Sequence, residues 1–151
     1  MMWRIVLGLV IGVLSASALH AQQPPAQAAP APSQFVFAGD AVVTLNFIKA
    51  DKAADFEMVI GRLKDALAKS DKPERKQQAA GWKMFKSTDA SPTGSVIYVS
   101  IIDPVVKGAD YTVTKILNEA FPTEVQALYK AYSEAYVSLT PINLSLLKDM
   151  K

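Results

Sequence analysis

The chain has 151 residues, a formal net charge of +2, one histidine and no cysteine. So small a net charge gives no electrostatic reason to expect nucleic-acid binding or attachment to an anionic membrane. The single histidine is His20, near the start of the chain. The rest of the chain has neither histidine nor cysteine. This composition excludes serine–histidine and cysteine–histidine catalysis, histidine-ligated haem and the usual zinc sites there.

The first 21 residues have the order of a secretory signal peptide. Arg4 precedes an apolar run from Ile5 to Leu14, and small residues follow. Cleavage is predicted after Ala18 or after Ala21. The apolar run is shorter than the roughly 20 residues that a membrane-spanning helix needs. We therefore expect a periplasmic or secreted protein with no stable membrane association after cleavage.

A linker of low complexity follows the signal peptide. Residues 22–34 are proline, alanine, glutamine and one serine, a composition that cannot build a packed core. This composition predicts a disordered linker. The folded part is then a single domain over residues 35–151, a normal size for one domain.

The domain is predicted to begin with a strand and a helix. Residues 41–49 alternate side chains between two faces, as a strand does. Asp51 is placed to cap a helix that ends before Pro73, because the residue preceding proline disfavours helical backbone. A helical turn over residues 74–78 is predicted next. The apolar positions at helical spacing in the first helix are Phe56, Val59, Ile60, Leu63 and Leu67.

A β-hairpin over residues 80–103 organises the middle of the chain. Its arms are residues 82–86 and 96–102, and Pro92 and Gly94 suit a type I turn between them. The first arm carries lysines, which are typical of an edge strand. The second arm has no charge, so we expect it at the centre of a sheet.

Two helical segments are predicted after the hairpin. Asp110 can cap the first, Pro122 interrupts it, and Thr123 can cap the second. In the second segment Tyr129, Tyr132 and Tyr136 recur at helical spacing. We interpret these tyrosines as core packing with hydroxyls at the rim, in preference to a ligand stripe.

A last strand is predicted near the C-terminus. Pro141 should end the second helical segment, and residues 142–147 alternate apolar and polar side chains. The resulting order is β-α-β-β-α-β. This order predicts an α+β, ferredoxin-like fold with a four-stranded antiparallel sheet and helices on one face, the first and third strands being central.

The two faces of this sheet differ in polarity. The helices are predicted to cover the more apolar face, which carries Val43, Leu45, Phe47, Ile97, Val99, Ile101, Ile142, Leu144 and Leu146. The opposite face mixes apolar and polar side chains. Such a face is typical of a cavity closed by a partner subunit. Its candidate ligand-binding residues are Thr44, Asn46, Trp82, Tyr98 and Ser100.

The element order, together with the fragments GWKMFK, YVSIIDPVVKGADY and FPTEVQALY, resembles the dimeric α+β barrel superfamily. In that superfamily two ferredoxin-like sheets meet face to face, so the resemblance implies a homodimer. Its members include cofactor-free monooxygenases, haem-containing enzymes and non-catalytic binding domains. Fold alone therefore does not select a function.

The sequence predicts a binding or structural module whose cavity on the open sheet face holds a small apolar or aromatic molecule. Neither a cofactor nor a metal is expected. The alternative is a cofactor-free monooxygenase-like enzyme that uses Asn46, Trp82 and Tyr98, residue types that resemble those of the monooxygenase branch. No acid or base with an evident perturbed environment supports the alternative, and we favour the binding module.

Overall fold

Four strands form one antiparallel sheet in the computed structural model, which describes residues 33–89 and 91–150. The strands are β1 (Ala41–Ile48), β2 (Trp82–Lys86), β3 (Val96–Ile102) and β4 (Tyr136–Leu144). Their spatial order is β2-β3-β1-β4. The predicted signal peptide, and the predicted linker up to residue 32, lie outside the described residues.

Four helices connect the strands. A short 3-10 turn (Ala50–Lys52) leads into α1 (Ala53–Lys69), which is followed by α2 (Pro73–Gly81), α3 (Val113–Ala120) and α4 (Val125–Ala135). The strands β1 and β3 take the central places predicted for the two uncharged strands. The ferredoxin-like α+β fold is therefore confirmed. Over the described ranges, none of these helices combines the length and the apolar character needed to cross a bilayer.

The last strand begins earlier than predicted. We expected helix as far as Pro141 and a strand over residues 142–147, but α4 ends at Ala135 and β4 runs from Tyr136 to Leu144. Pro141 lies inside β4, opposite Thr44 of β1. An edge strand tolerates proline because the position of the missing N–H faces solvent. Proline was therefore the wrong signal for the end of this helix.

The helices cover the sheet face opposite to the one predicted. Along β1 the fully buried positions are Val42, Thr44, Asn46 and Ile48. At one end of this covered face, Ile48 packs in a cluster with residues of α1 and α4. At the other end, Val42 packs beneath the N-terminal segment and the loop of residues 105–111.

The face predicted to lie under the helices is open and apolar. In the register of the sheet, Val43, Leu45 and Phe47 lie opposite Ile101, Val99 and Ile97. These side chains are half-buried, while Ile142 and Leu144 of β4 on the same face are exposed. Leu146 lies beyond the end of β4 and is also exposed. Strand alternation had correctly grouped these residues, but it does not say which group faces the helices.

Candidate functional site

The centre of the covered sheet face is polar. Thr44 and Asn46 of β1 and Ser100 of β3 are 8%, 3% and 4% exposed. Ser100 lies opposite Thr44 on one side and opposite Met84 of β2 on the other. Trp82, two residues before Met84, shares this face. Most buried positions of a sheet carry apolar side chains, so a polar row inside the core points to a site rather than to packing alone.

Two groups of aromatic side chains wall this polar floor. In the first group, the ring of Tyr111 lies 5.6 Å from that of Phe37 and 5.4 Å from that of Trp82. In the second group, Tyr132 of α4 and Tyr136 at the start of β4 have ring centroids 4.9 Å apart. Both tyrosines pack against Phe56 of α1. These six rings come from six different segments of the chain, which the fold brings to the same site.

The floor and walls line an inner cavity of about 30 Å³. That is room for about two water molecules. The cavity is lined by uncharged side chains, with Ile60 of α1 on the helix side. These lining residues are Phe35, Phe37, Thr44, Asn46, Ile60, Trp82, Met84, Ser100, Ile102, Tyr111, Val113, Tyr132, Tyr136 and Leu139. An uncharged lining that is rich in aromatic side chains suits a neutral guest.

Two larger surface grooves share walls with the inner cavity. The α1–β2 groove has a volume of about 520 Å³ and shares Ile60, Trp82 and Met84 with it. The α4–β4 groove has a volume of about 290 Å³ and shares Tyr132 and Tyr136, among others. Movement of the shared side chains would therefore change how far the cavity is separated from either groove.

The amide of Asn46 is fixed by the backbone of two strands. Its Nδ2 donates to the carbonyl oxygens of Thr44, at 3.2 Å, and of Tyr98, at 3.0 Å. The Tyr136 hydroxyl lies 3.1 Å from Asn46 Oδ1 and 2.8 Å from the Tyr132 hydroxyl. Oδ1 can only accept and Tyr136 has one proton, so that proton goes to Asn46 and Tyr132 donates to Tyr136. Tyr132, Tyr136 and Asn46 thus form one directed chain of hydrogen bonds.

Burial raises the pKa of both Tyr132 and Tyr136 above that of an exposed tyrosine. For Tyr136 the neighbouring Tyr132 adds to this effect. Both phenols therefore keep their protons at neutral pH. At this site they act as hydrogen-bond donors and not as bases.

Trp82 is held on the floor by a hydrogen bond to Ser100. The indole Nε1 donates to Ser100 Oγ over 2.6 Å. A buried indole N–H needs such a partner, because leaving it unpaired costs about 1–3 kcal/mol. The bond crosses from β2 to β3, so it orients the ring against the cavity.

The loop that carries Tyr111 is anchored by a buried charge. Arg75 of α2 donates through Nη1 to the Asp110 carbonyl oxygen at 2.8 Å, and Gln78 Nε2 donates to the same oxygen at 3.1 Å. Glu119 of α3 accepts two further bonds from the Arg75 guanidinium. A buried arginine is tolerated when its donors are paired. Here the pairing fixes the aromatic wall beside Trp82.

Tyr98 is the one predicted site residue that lies elsewhere. It is opposite Asn46 in register, but its hydroxyl donates to Glu57 Oε1 of α1 over 2.5 Å. Lys86 Nζ donates to the same oxygen at 2.8 Å. The bond from Lys86, and then that from Tyr98, lower the pKa of Glu57, while burial raises the pKa of Tyr98. The Tyr98 hydroxyl therefore belongs to a cluster at the β2 edge.

Thr44, Asn46, Trp82 and Ser100 are brought together as the sequence predicted, but at a different place. We predicted a cavity on the open face that a partner subunit would close. Their side chains instead face α1 and α4, because the polar face is the covered one. The sequence interpretation missed Phe35, Phe37 and Tyr111. The alternation of Phe35 and Phe37 directly after the linker was the available signal.

Among the described residues there is no group of three or more histidine, cysteine, aspartate or glutamate side chains that could hold a metal ion. No protein-family model matches the chain, and no curated protein matches its sequence. A solved structure is similar over 74% of this chain and 97% of its own, with 13% identity and a TM-score of 0.36. It is a mutant of SnoaB, a cofactor-independent oxygenase from Streptomyces nogalater. So weak a likeness assigns no activity, and the fold assignment rests on the strand order.

Proposed function

We propose that the protein binds a small, uncharged, apolar or aromatic molecule between its helices and its sheet. The observation that carries this proposal is the buried polar floor of Thr44, Asn46 and Ser100 beneath aromatic walls. Aromatic rings supply contact area to a flat guest, and a few fixed polar groups orient it. The absence of charge in the lining disfavours ionic guests, because an ion moved there would lose its hydration.

The guest enters, in this proposal, through the α1–β2 groove. The inner cavity alone is too small for an aromatic ring, but Met84 forms a wall common to the cavity and the groove. Methionine is unbranched and flexible, so its side chain can move aside at little cost. Gly61 lines the same groove, and a side chain added there would meet no atom within 4 Å.

Blocking this groove tests the proposal. Native mass spectrometry of the protein from its source should detect a co-purifying neutral molecule. Gly61→Leu should remove that molecule, because the new side chain occupies the groove. Gly61→Ala is the matched control, since both changes raise helix propensity but alanine leaves most of the groove open. A protein without any bound molecule, or equal occupancy in the two variants, would contradict the proposal.

A second candidate function is a cofactor-free oxygenase. It is favoured by one observation: Asn46 and Trp82, two of its three predicted residues, line the same cavity. In such a reaction a CH2 group of the guest and O2 give a carbonyl group and water, and the guest itself supplies the electrons. Oxygen uptake that depends on the guest and falls in Trp82→Phe would favour catalysis. Binding of the guest without oxygen uptake would favour the binding function over catalysis.

We also propose that a second copy of the chain covers the open sheet face. The support is the apolar surface around Leu45, Phe47 and Val99, on which no described helix packs. Surfaces of this kind usually mark an interface. A homodimer through this face replaces the dimer predicted through the opposite, mixed face, because Val42 and Ile48 on that face are buried within one copy.

Export of the protein is proposed on the sequence of residues 1–21 alone. Arg4, the apolar run and the small residues before Ala21 support it. N-terminal sequencing of the protein recovered outside the cytoplasm should begin after Ala18 or after Ala21. Retention of Met1 there would contradict the proposal.

A further inference from the structure

Two hydroxyl groups lie opposite each other on the cavity floor. Thr44 and Ser100 are register partners on β1 and β3. Both are more than nine-tenths buried, and both line the inner cavity. Opposite residues of an antiparallel pair have their Cβ atoms about 4.5–5.5 Å apart. One small atom of a guest can therefore contact both hydroxyls.

The Thr44 hydroxyl has unused hydrogen-bonding capacity. No hydrogen bond to Thr44 Oγ1 occurs within the described residues. Over the same residues, every fully buried side-chain nitrogen and oxygen has a partner. The unpaired oxygen of Thr44 is thus one that the open space of the cavity reaches. An unpaired hydroxyl inside a core costs stability, which indicates that the group serves a guest or a water molecule.

The Ser100 hydroxyl still has its proton to donate. A serine oxygen offers one donor and two acceptor positions, and the Trp82 indole N–H occupies an acceptor position at 2.6 Å. The proton of Ser100 meets no acceptor elsewhere in the described chain. Donation from the indole also polarises the O–H bond and strengthens it as a donor.

Asn46, in contrast, has little left to offer. Its Nδ2 protons go to two backbone carbonyl oxygens, and its Oδ1 accepts from Tyr136. The Asn46 amide therefore contributes to the shape of the cavity floor. The hydroxyls of Thr44 and Ser100 are the hydrogen-bond donors on that floor that remain free. Among the described residues no charged side chain lines the cavity, so an anionic oxygen would be desolvated there without compensation.

We infer that Thr44 and Ser100 form a donor pair for the oxygen of a neutral guest, such as the carbonyl oxygen of an aromatic ketone. This inference rests on the proposed binding function and adds the chemical class of the guest. It predicts that a guest with an acceptor oxygen binds more tightly than an oxygen-free guest of the same shape. It also predicts that a carboxylate of similar shape is rejected.

Three probes of similar size separate these cases: acetophenone, ethylbenzene and benzoate. Trp3 and Trp82 are the only tryptophans, so the full chain with Trp3→Phe reports the cavity through Trp82 fluorescence. Acetophenone should bind about tenfold more tightly than ethylbenzene, which corresponds to one good hydrogen bond. Benzoate should bind more weakly than either.

Thr44→Val is the decisive variant, because valine matches threonine in shape and lacks the hydroxyl. Acetophenone affinity should fall about five- to tenfold, while ethylbenzene affinity is unchanged. The thermal midpoint should stay the same or rise, since the hydroxyl has no partner to lose. Thr123→Val, at an exposed position between α3 and α4, is the matched control and should change neither affinity. Ser100→Ala also strands the indole N–H, so it serves only as support.

The outcomes distinguish the inference from the proposed function. Equal binding of acetophenone and ethylbenzene, unaffected by Thr44→Val, would overturn the donor pair and leave the binding function intact. Binding of benzoate as tight as that of acetophenone would also overturn it. No binding of any probe, with Trp82 fluorescence unchanged throughout, would count against both.

Discussion

The two faces of the sheet invert the usual relation between polarity and burial. The covered face holds Thr44, Asn46 and Ser100 in its centre, whereas the open face is apolar around Leu45 and Val99. Polar residues are tolerated inside because they are hydrogen-bonded or line a cavity. Apolar residues are left outside because this surface suits contact with another molecule. The average polarity of a sheet face therefore does not tell which face the helices bury.

The difference has an energetic side. Full burial of a valine, leucine, isoleucine or phenylalanine side chain is worth about 1.5–3 kcal/mol. On the covered face this gain is realised within one copy, as in the cluster of Ile48, Phe56 and Tyr98. On the open face much of it becomes available only when a second surface arrives. Substitutions on the two faces should therefore affect different measurements.

The largest expected effect is on the stability of the single chain. Phe56→Ala should lower the free energy of unfolding by about 3–5 kcal/mol, because Phe56 is fully buried against three tyrosine rings. Phe85→Ala, on the open face where Phe85 is 50% exposed, is the matched control and should cost about 1 kcal/mol. Chemical denaturation at a concentration below the dimer transition measures both. Equal losses would mean that the faces do not differ as described.

The open face should control association. Val99 lies between Leu45 and Phe85 at the centre of this face, so Val99→Lys places two unpaired ammonium groups in a symmetric interface. We expect the dimer dissociation constant to rise at least about 100-fold, with the monomer still folded. Analytical ultracentrifugation measures this change. Met58→Lys, at an exposed position of α1, controls for added charge, and a wild-type protein that is monomeric at all concentrations would refute the interface.

A smaller effect is expected from the hydrogen-bond chain on the covered face. Tyr136→Phe removes the donor to Asn46 Oδ1 and leaves that buried oxygen with one partner fewer. The free energy of unfolding should fall by about 1–2 kcal/mol. Tyr129→Phe removes a hydroxyl from a side chain that is 55% exposed, and it should have almost no effect. Thermal unfolding of both variants checks this, and a silent Tyr136→Phe would argue against the chain of bonds.

The smallest effect concerns acid stability at the edge of the covered face. Hydrogen bonds from Lys86 and then Tyr98 lower the pKa of Glu57 in the folded protein. A lowered folded pKa means that the contribution is present above the ordinary glutamate value of about 4.3, and that it is lost as the pH falls through the folded value. Glu57→Gln should therefore weaken stability slightly at pH 7 and flatten its decline below about pH 4.3.

Urea unfolding across this pH range separates Glu57→Gln from Glu134→Gln, a change at an exposed position of α4. Only the former should change the slope of stability with pH. Parallel curves for the two variants would show that the Glu57 cluster contributes nothing to acid stability.

Much of the fold follows from patterns that the sequence displays directly. The uncharged runs of β1 and β3 predicted central strands, and the lysines of β2 predicted an edge. The grouping of Thr44 with Asn46, and of Ser100 with Tyr98, follows from strand alternation. Four of the five predicted site residues therefore share one cavity, although its location was wrong.

The remainder depended on information that no single strand contains. Alternation gives two sets of residues but leaves open which set faces the helices. The rule that the more apolar face lies under the helices predicted the wrong set. It fails here because the covered face lines a cavity with polar side chains. Tyr98 shares the correct face, yet Glu57 of α1 draws its hydroxyl away from the cavity. The sequence around Tyr136 is compatible with helix or strand. Tyr136 belongs to a strand because it pairs with Ile48 of β1.

The position of Pro141 in β4 has a consequence for how copies of the chain can assemble. An edge strand with free backbone groups invites another strand to add alongside it, and repeated addition builds fibres. Proline interrupts the row of backbone N–H donors within β4. At the other edge of the sheet, β2 contains Lys83 and Lys86. Edge-to-edge growth is thereby discouraged at both ends of the sheet. Association through the open apolar face, as proposed above, would instead close on itself after two copies.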